Sequence, residues 1–470
     1  MRNRRWPTAP AVAAVATILV AGAALASPRA TRWVVTGRPA QLVATASGVT
    51  VHPILSAGDL VGGELFGYQM AGVPGGVGAY RSSPSAVEVL VNHELDGEAP
   101  EGVGARVSQL TLDDRRRVLA GRYLLDGSEG FLRLCSGTLA TLDGVPWYFT
   151  GEGSTDQGEP PTGGRGGSSI ALNVASGRWT ETRHFGLFEH EHVVPVPGLR
   201  TAMVVSTEGG EAGTSQLYAY TAADFATAIA GHGQLWVWAA DDKGDGDPST
   251  DDIASGQTLQ GRFVALSQAD NADAATLEAA AQARGAFDFV RVKGLAVSRT
   301  RPGEAYLTDG GAAGAETERG RLYRLRIDPA DPTRASLTLV LDGDAGDDLV
   351  NPDNLDVSER VAVIQEDRNP EHRGAGVAGG YARVLVYDLD GGQLRTVARV
   401  ATDLTAPGAE PGSWASSGVL DASGLYGEDW WLLTVQAHTA RTPQPGPDLS
   451  PGSSQGEDGQ LLAVRIPGST

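Results

Sequence analysis

The sequence predicts an all-β protein: a β-propeller with divergent blades and loop and helical insertions. Three observations carry this. Short apolar runs alternate with Gly, Asp and Pro clusters, the pattern of strands joined by tight turns. The chain holds 63 Gly and 26 Pro in 470 residues, which suits turns and disfavours helices. The strand-like runs are also too many for one sandwich, whereas a propeller takes up strands blade by blade.

The runs are Val87–Val91, Trp147–Thr150, Thr201–Ser206, Gln216–Tyr220, Leu235–Ala239, Phe287–Val292, Ala305–Thr308, Arg321–Ile327, Leu337–Leu341, Val361–Gln365, Val384–Tyr387, Trp431–Gln436 and Leu461–Ile466. Two stretches read as hairpins within a blade: GEAYLTDGG followed by GRLYRLRIDP, and MVVSTEGGEAGTSQLYAYT. No strict repeat of fixed period is found, so the blades are expected to diverge in sequence. Helical candidates are few. Ala222–Ile229 and Ala272–Arg284 are the best, the second expected as a surface insertion.

At the N-terminus, Arg2, Arg4 and Arg5 precede an apolar run from Ala9 to Leu25, and Ala24-Leu25-Ala26 offers a small-residue cleavage site before Ser27. This pattern predicts a signal peptide over 1–26 and export to a secreted, periplasmic or cell-surface location. Arg4-Arg5 hints at the twin-arginine route, although Asn3, Pro7 and Thr8 flank it poorly, and the general secretory route is the alternative. A linker over 27–45 and a single propeller domain over 46–470 are expected to follow. No second long apolar run exists, so no stable membrane insertion is expected after cleavage.

The formal net charge is −20. Nucleic acids and anionic membrane surfaces call for positive fields, so this balance argues against both. It is compatible with metal cations, and equally with a surface that merely keeps the protein soluble.

Several constellations carry candidate chemistry. Glu94 ends an apolar run in VNHE, placed either to enter a cavity or to be solvated at a turn. Cys135 is the chain's single cysteine. A leftover thiol in a secreted chain is a candidate ligand or reactive group, and a buried small hydrophobe is the alternative. Glu152 follows PWYFTG. In Phe188-Glu189-His190-Glu191-His192, strand alternation puts Glu189 and Glu191 on one face and both histidines on the other, with a zinc site as the competing reading. Glu208 ends STEGG, and Asp353 sits in NPDNLDV, where turn chemistry also explains Asp and Asn. Gln365-Glu366-Asp367 ends the following strand. The acidic loops at 241–247 and 342–348 suit calcium or are solvated turns. Gly452-Ser453-Ser454-Gln455-Gly456 matches a nucleophile elbow but lacks the strand before it and the helix after it.

Taken in order, VNHE (91–94), Cys135 with PWYFTGEG (146–153), FGLFEHE (185–191), VVSTEGG (204–210) with SQLYAY (215–220), and NPDNLDV (351–357) resemble the PhoX-type alkaline phosphatases. The resemblance implies a secreted propeller with calcium and iron at a central phosphomonoesterase site. It implies that Cys135 ligates iron, and that Glu94, Glu152, Glu191, Glu208 and Asp353 fall on metal-site motifs. Thiolate suits iron and carboxylates suit calcium. The sequence departs from the family at Arg291-Val292-Lys293-Gly294, where an Arg-Pro-Glu-Gly-like segment is expected. Arg291 remains a phosphate-binding candidate. Lys293 stands where a metal carboxylate would be, either replacing a cation or marking a lost site. A doubled acid is likewise thinned to Glu152-Gly153.

The reading that follows is a monomeric metal-dependent phosphatase acting on a small phosphoester. The alternatives are a non-catalytic calcium-binding propeller and a calcium-only propeller hydrolase of phytase or lactonase type, indifferent to Cys135.

Overall fold

The computed structural model describes residues 33–62, 67–98, 102–210, 214–241, 248–267, 272–368 and 380–470. The expected signal peptide and most of the acidic loop at 241–247 lie outside these residues. Those described form a six-bladed propeller, each blade an antiparallel meander running outward from the centre. The innermost strands are, in order, Pro74–Ser83, Thr138–Leu142, His190–Pro195, Val292–Val297, Pro352–Val357 and Ala415–Asp421. Each packs beside the next, and the last beside the first, so the ring is closed.

Closure joins the two halves of the chain. Thr50–Ser56 is the outermost strand of blade six, paired with Ser454–Arg465. Residues 33–45, expected as linker, belong to the fold: Val34 bridges Val118, and Leu42–Ala44 is an outer strand of blade five. Blades three and four share the strand Thr258–Ala265, which pairs with Gln234–Ala240 on one side and Arg334–Asp342 on the other.

The core is divided among the blade interfaces. One apolar cluster fills each gap: Leu90, Val107, Tyr148 and Ile170 between blades one and two, for example, and Trp238, Phe289, Tyr323 and Leu337 between three and four. A blade is therefore buried on both faces. Its middle strands read as nearly continuous apolar runs, which is why the sequence signals them well. Burying each large apolar side chain contributes about 1.5–3 kcal/mol. The helix Ala274–Gln282 is no surface insertion: Leu277 and Ala281 are fully buried in the cluster between blades two and three.

Polar side chains on the second strands stitch neighbouring blades near the axis. Asn92 Nδ2 donates to Ser136 O (2.8 Å), Thr207 Oγ1 to Lys293 O (2.7 Å), Thr308 Oγ1 to Asp353 O (2.6 Å), and Thr434 Oγ1 to Gly75 O (2.8 Å). Gln365 Nε2 reaches Ser416 Oγ, and Ser136 Oγ reaches Glu191 O. Thr207→Val or Thr308→Val keeps the shape but takes the hydroxyl from both a carbonyl and an amide: Lys293 O and His192 N, or Asp353 O and Gly294 N. Each is expected to cost about 1–3 kcal/mol, read as a lower denaturant midpoint, with an unchanged midpoint counting against the stitching role.

Candidate functional site at the propeller mouth

All six innermost strands run the same way along the axis, and their starts open on a cavity of about 490 Å³. Glu94 (blade one), Cys135 (just ahead of blade two's inner strand), Glu191 (blade three), Arg291 and Lys293 (blade four), and Asp353 (blade five) all line it. Ser417 and Gln436 of blade six complete the ring. The opposite end of the channel holds a cavity of about 310 Å³ that is mostly apolar, lined by residues such as Val194, Leu295, Leu355 and Val419, with His192, Arg299 and Asp356 as its ionisable groups.

Cys135 is held from three sides. Its carbonyl accepts from Gly76 N (2.7 Å) of blade one, Asn92 holds the next carbonyl, and its thiol contacts Arg133 O at 3.3 Å. Gly153 faces the sulfur: a Cβ there would lie 2.6 Å from Sγ. A side chain at this position would collide with the thiol. Gly75 plays the same part for Glu94, whose Oε1 would lie 2.1 Å from an added Cβ.

The charges are crowded. Eight Asp and Glu residues line the cavity against four Lys and Arg. Burial, followed by the charges of Glu191 and Asp353, pushes the Glu94 carboxyl well above the usual carboxylate range. Burial also raises Asp353, against the pull of Lys293. The Cys135 thiol is raised by burial and then by Glu191 and Glu94. For Lys293, burial alone would lower the ammonium, but Glu191, Asp353 and Cys135 outweigh it and hold it charged. Its Nζ forms an ion pair with Glu191. Arg291 is buried, donates to Gly311 O at 3.2 Å, and has an Nε with no hydrogen-bond partner among the described residues.

Two expected ligands are absent from this ring. Glu152 accepts from the backbone N–H of Leu132, Arg165, Gly167 and Ser168 at 2.9–3.2 Å, so both of its oxygens are spent on holding the loop before Cys135. Burial nevertheless raises it to about 7. Glu208 turns away beside Gly209, accepts from Gln216 N, and is pushed to about 8 by burial and then by Glu278. Strand alternation explains this: Glu208 is one residue on from the stitching Thr207, whereas Glu94 is two on from Asn92 and shares its face. Around Glu191 the same alternation holds as expected. Glu189 and Glu191 line the mouth while His190 and His192 are buried, so the run gathers no zinc site. The loop at 342–348 is a turn with an exposed tip, whose buried Asp342 pairs with Arg321 at 3.2 Å and accepts from Asp344 N and Ala345 N. Sequence reasoning missed His438, Arg441 and Glu457, which overhang the cavity from blade six; His and Glu beside a long apolar strand were the available signal.

The residues fit a metal in part. Among the described residues no group of three His, Cys, Asp or Glu side chains closes on one point, and Glu191 is engaged by Lys293. Glu94 and Asp353 remain as mutually repelling buried oxygen donors, whose repulsion a hard cation relieves. Cys135 is the soft donor beside them.

No protein-family model matches the chain, and no curated protein matches it in sequence. Among solved structures, Pseudomonas fluorescens PhoX in complex with vanadate, a transition state analogue, aligns with a TM-score of 0.60 at 13% identity, covering 91% of this chain and 96% of that one. The arabinobiose complex of Penicillium chrysogenum alpha-L-arabinanase aligns at 0.42, with 9% identity over 90% and 100% of the two chains. Trypanosoma rangeli sialidase aligns at 0.40, with 11% identity over 90% of this chain and 60% of that one. At such identities the first likeness establishes the propeller fold. No helix among the described residues is long and apolar enough to cross a membrane.

The raised carboxyls set a pH dependence. A group whose folded-state pKa is raised keeps a proton that the unfolded chain has released, so its stabilisation is full at acid pH and is lost as pH rises through the folded value. For Glu152 and Glu208 that loss is centred at about 7 and about 8. Buried His93, His190 and His192, lowered to about 4, 3 and 4, act in the opposite sense below about pH 6.5, so with chelator present the thermal midpoint is expected to fall between about pH 6.5 and pH 8.5, and calcium is expected to recover part of it at the upper end. Calorimetry showing a flat or rising midpoint would overturn this.

Proposed function

We propose that the chain is a metal-dependent phosphomonoesterase working at the central mouth. The observation that carries this reading is the convergence of Glu94, Cys135, Glu191, Asp353, Arg291 and Lys293, from five different stretches of chain, on one cavity. A phosphate dianion entering eight carboxylates needs cations. Arg291 offers a forked donor set for phosphate oxygens, and Lys293 offers a fixed positive charge at Glu191. Glu94 and Asp353 would hold calcium, and Cys135 would hold iron. Such metals, when bound, polarise a phosphate oxygen and lower the proton affinity of bound water. The likeness to PhoX, whose structure holds vanadate, supports phosphate chemistry over the other hydrolase chemistries seen on propellers. The Arg-rich, apolar N-terminus supports export.

The Lys293–Glu191 pair favours a second reading, a propeller that binds calcium without catalysis. The lysine fills a place where a cation would sit, leaving fewer ligands for catalytic metals.

Metal analysis of the exported protein, with p-nitrophenyl phosphate hydrolysis on the same sample, separates the two. Calcium and iron with turnover are expected. Glu94→Gln is expected to lower kcat/KM about 100-fold or more, and Cys135→Ser to abolish iron content and activity together. Full activity in the cysteine variant would exclude the iron role. Tight calcium with no phosphoester turnover would leave the non-catalytic reading standing.

A further inference from the structure

The long hairpin of blade six carries a group that the proposed metal and phosphate ligands leave unused. Its strands, Trp430–Gln444 and Ser454–Arg465, pair with one break: Ala437 faces Asp458, and the next paired residue, Arg441, faces Glu457. The intervening residues 438–440 bulge from the ladder. Bulges bend a strand and re-aim its side chains, and here the break brings His438 to the cavity wall, together with Arg441 and Glu457.

The geometry around His438 is that of an oriented imidazole. Nδ1 lies 2.6 Å from Glu457 Oε2, and Arg441 Nη1 lies 3.0 Å from Oε1 of the same carboxylate. Both oxygens of Glu457 are therefore engaged, which fixes the ring. Nε2 has no hydrogen-bond partner among the described residues, and the side chain is half-buried. The charged groups facing it are Glu457 and Asp367, which favour the protonated ring, and Arg441, which opposes it. Burial also opposes protonation, but the two carboxylates prevail, so the imidazole is more basic than usual.

We propose that His438, oriented by Glu457, is the general acid that protonates the leaving alkoxide when a phosphomonoester is cleaved at this mouth. The proposal rests on the phosphoesterase reading above. Water oxygen forms the new P–O bond, and the ester P–O bond breaks with its electron pair going to the alkoxide. The imidazolium Nε2–H passes its proton to that alkoxide, giving the alcohol. The two protons of the attacking water end on the new phosphate as dihydrogen phosphate, and transfer of one of them to Nε2 restores the imidazolium and releases hydrogen phosphate. Glu457 is a positioning residue.

A general acid matters when the leaving group is a strong base and little when it is not. His438→Gln and Glu457→Gln in the full chain are therefore compared with the parent on glycerol 2-phosphate and on p-nitrophenyl phosphate. His438→Gln is expected to lose about 100-fold in kcat on the alkyl ester and to stay near the parent on the aryl ester, which also shows that the variant is folded. Glu457→Gln is expected to move the alkaline limb of the alkyl-ester pH profile to lower pH, with the His438 ring titrating lower by NMR. Equal losses on both esters, no loss on either, or an unmoved profile would overturn the proposal while leaving the phosphoesterase reading in place. A parent protein that cleaves neither ester would overturn both.

Discussion

The hydrogen bonds between blades fix the site more directly than the apolar clusters do. The clusters set how blades pack, but a packed interface tolerates small sliding. The stitches do not, because five of the six end on a main-chain group that belongs to the site or adjoins it: Ser136 O beside Cys135, Glu191 O, Lys293 O, Asp353 O and Gly75 O. Every one is supplied by the blade before. The position of each functional side chain is thus inherited from its neighbour around the ring, and a closed ring over-determines all of them. A residue three blades away from a ligand can displace it only by breaking this series of contacts.

A second device works within blades. Near the end of several second strands a buried carboxylate grips amides ahead of the same blade's inner strand. Glu152 takes Leu132 N, Asp309 takes Val290 N and Arg291 N, and Glu366 takes Val350 N. In blades two, four and five the inner strand therefore enters the mouth with its backbone held by its own blade on one side and by the preceding blade on the other. The ends FTGE, LTDG and IQED are, in structural terms, a repeat. They show why an acid at a strand end is an ambiguous sign: the same residue type at nearly the same place is a clamp in blades two, four and five, and faces the cavity in blade one.

That ambiguity marks where the sequence could be read and where it could not. The apolar middle strands were legible because they are buried on both faces, and nearly every expected run falls within a strand. The inner strands were largely missed. They line the central channel, and Pro74-Gly75-Gly76-Val77-Gly78 and Ala415-Ser416-Ser417-Gly418 are small residues that offer no apolar run to signal a strand. Since those strands carry the mouth, the site was legible only as separate motifs, and Glu152 and Glu208 were indistinguishable from Glu94 until the parity of each strand end was known. His438 was hidden for another reason: a register break, not its local pattern, places it at the cavity.

Lys293 gives the mouth a character that a purely metal-filled site would not have. A divalent cation can be withdrawn by a chelator, whereas an ammonium tethered to the start of blade four's inner strand cannot. It neutralises Glu191 at all times and lies close enough to Asp353 and Cys135 to favour their ionised forms. One part of the charge balance is therefore covalent, and the repulsion between Glu94 and Asp353 is the part it leaves uncovered. An ammonium at position 293 offsets part of the repulsion among the neighbouring carboxylates, so fewer added cations are needed to hold them together than the acid count alone would require.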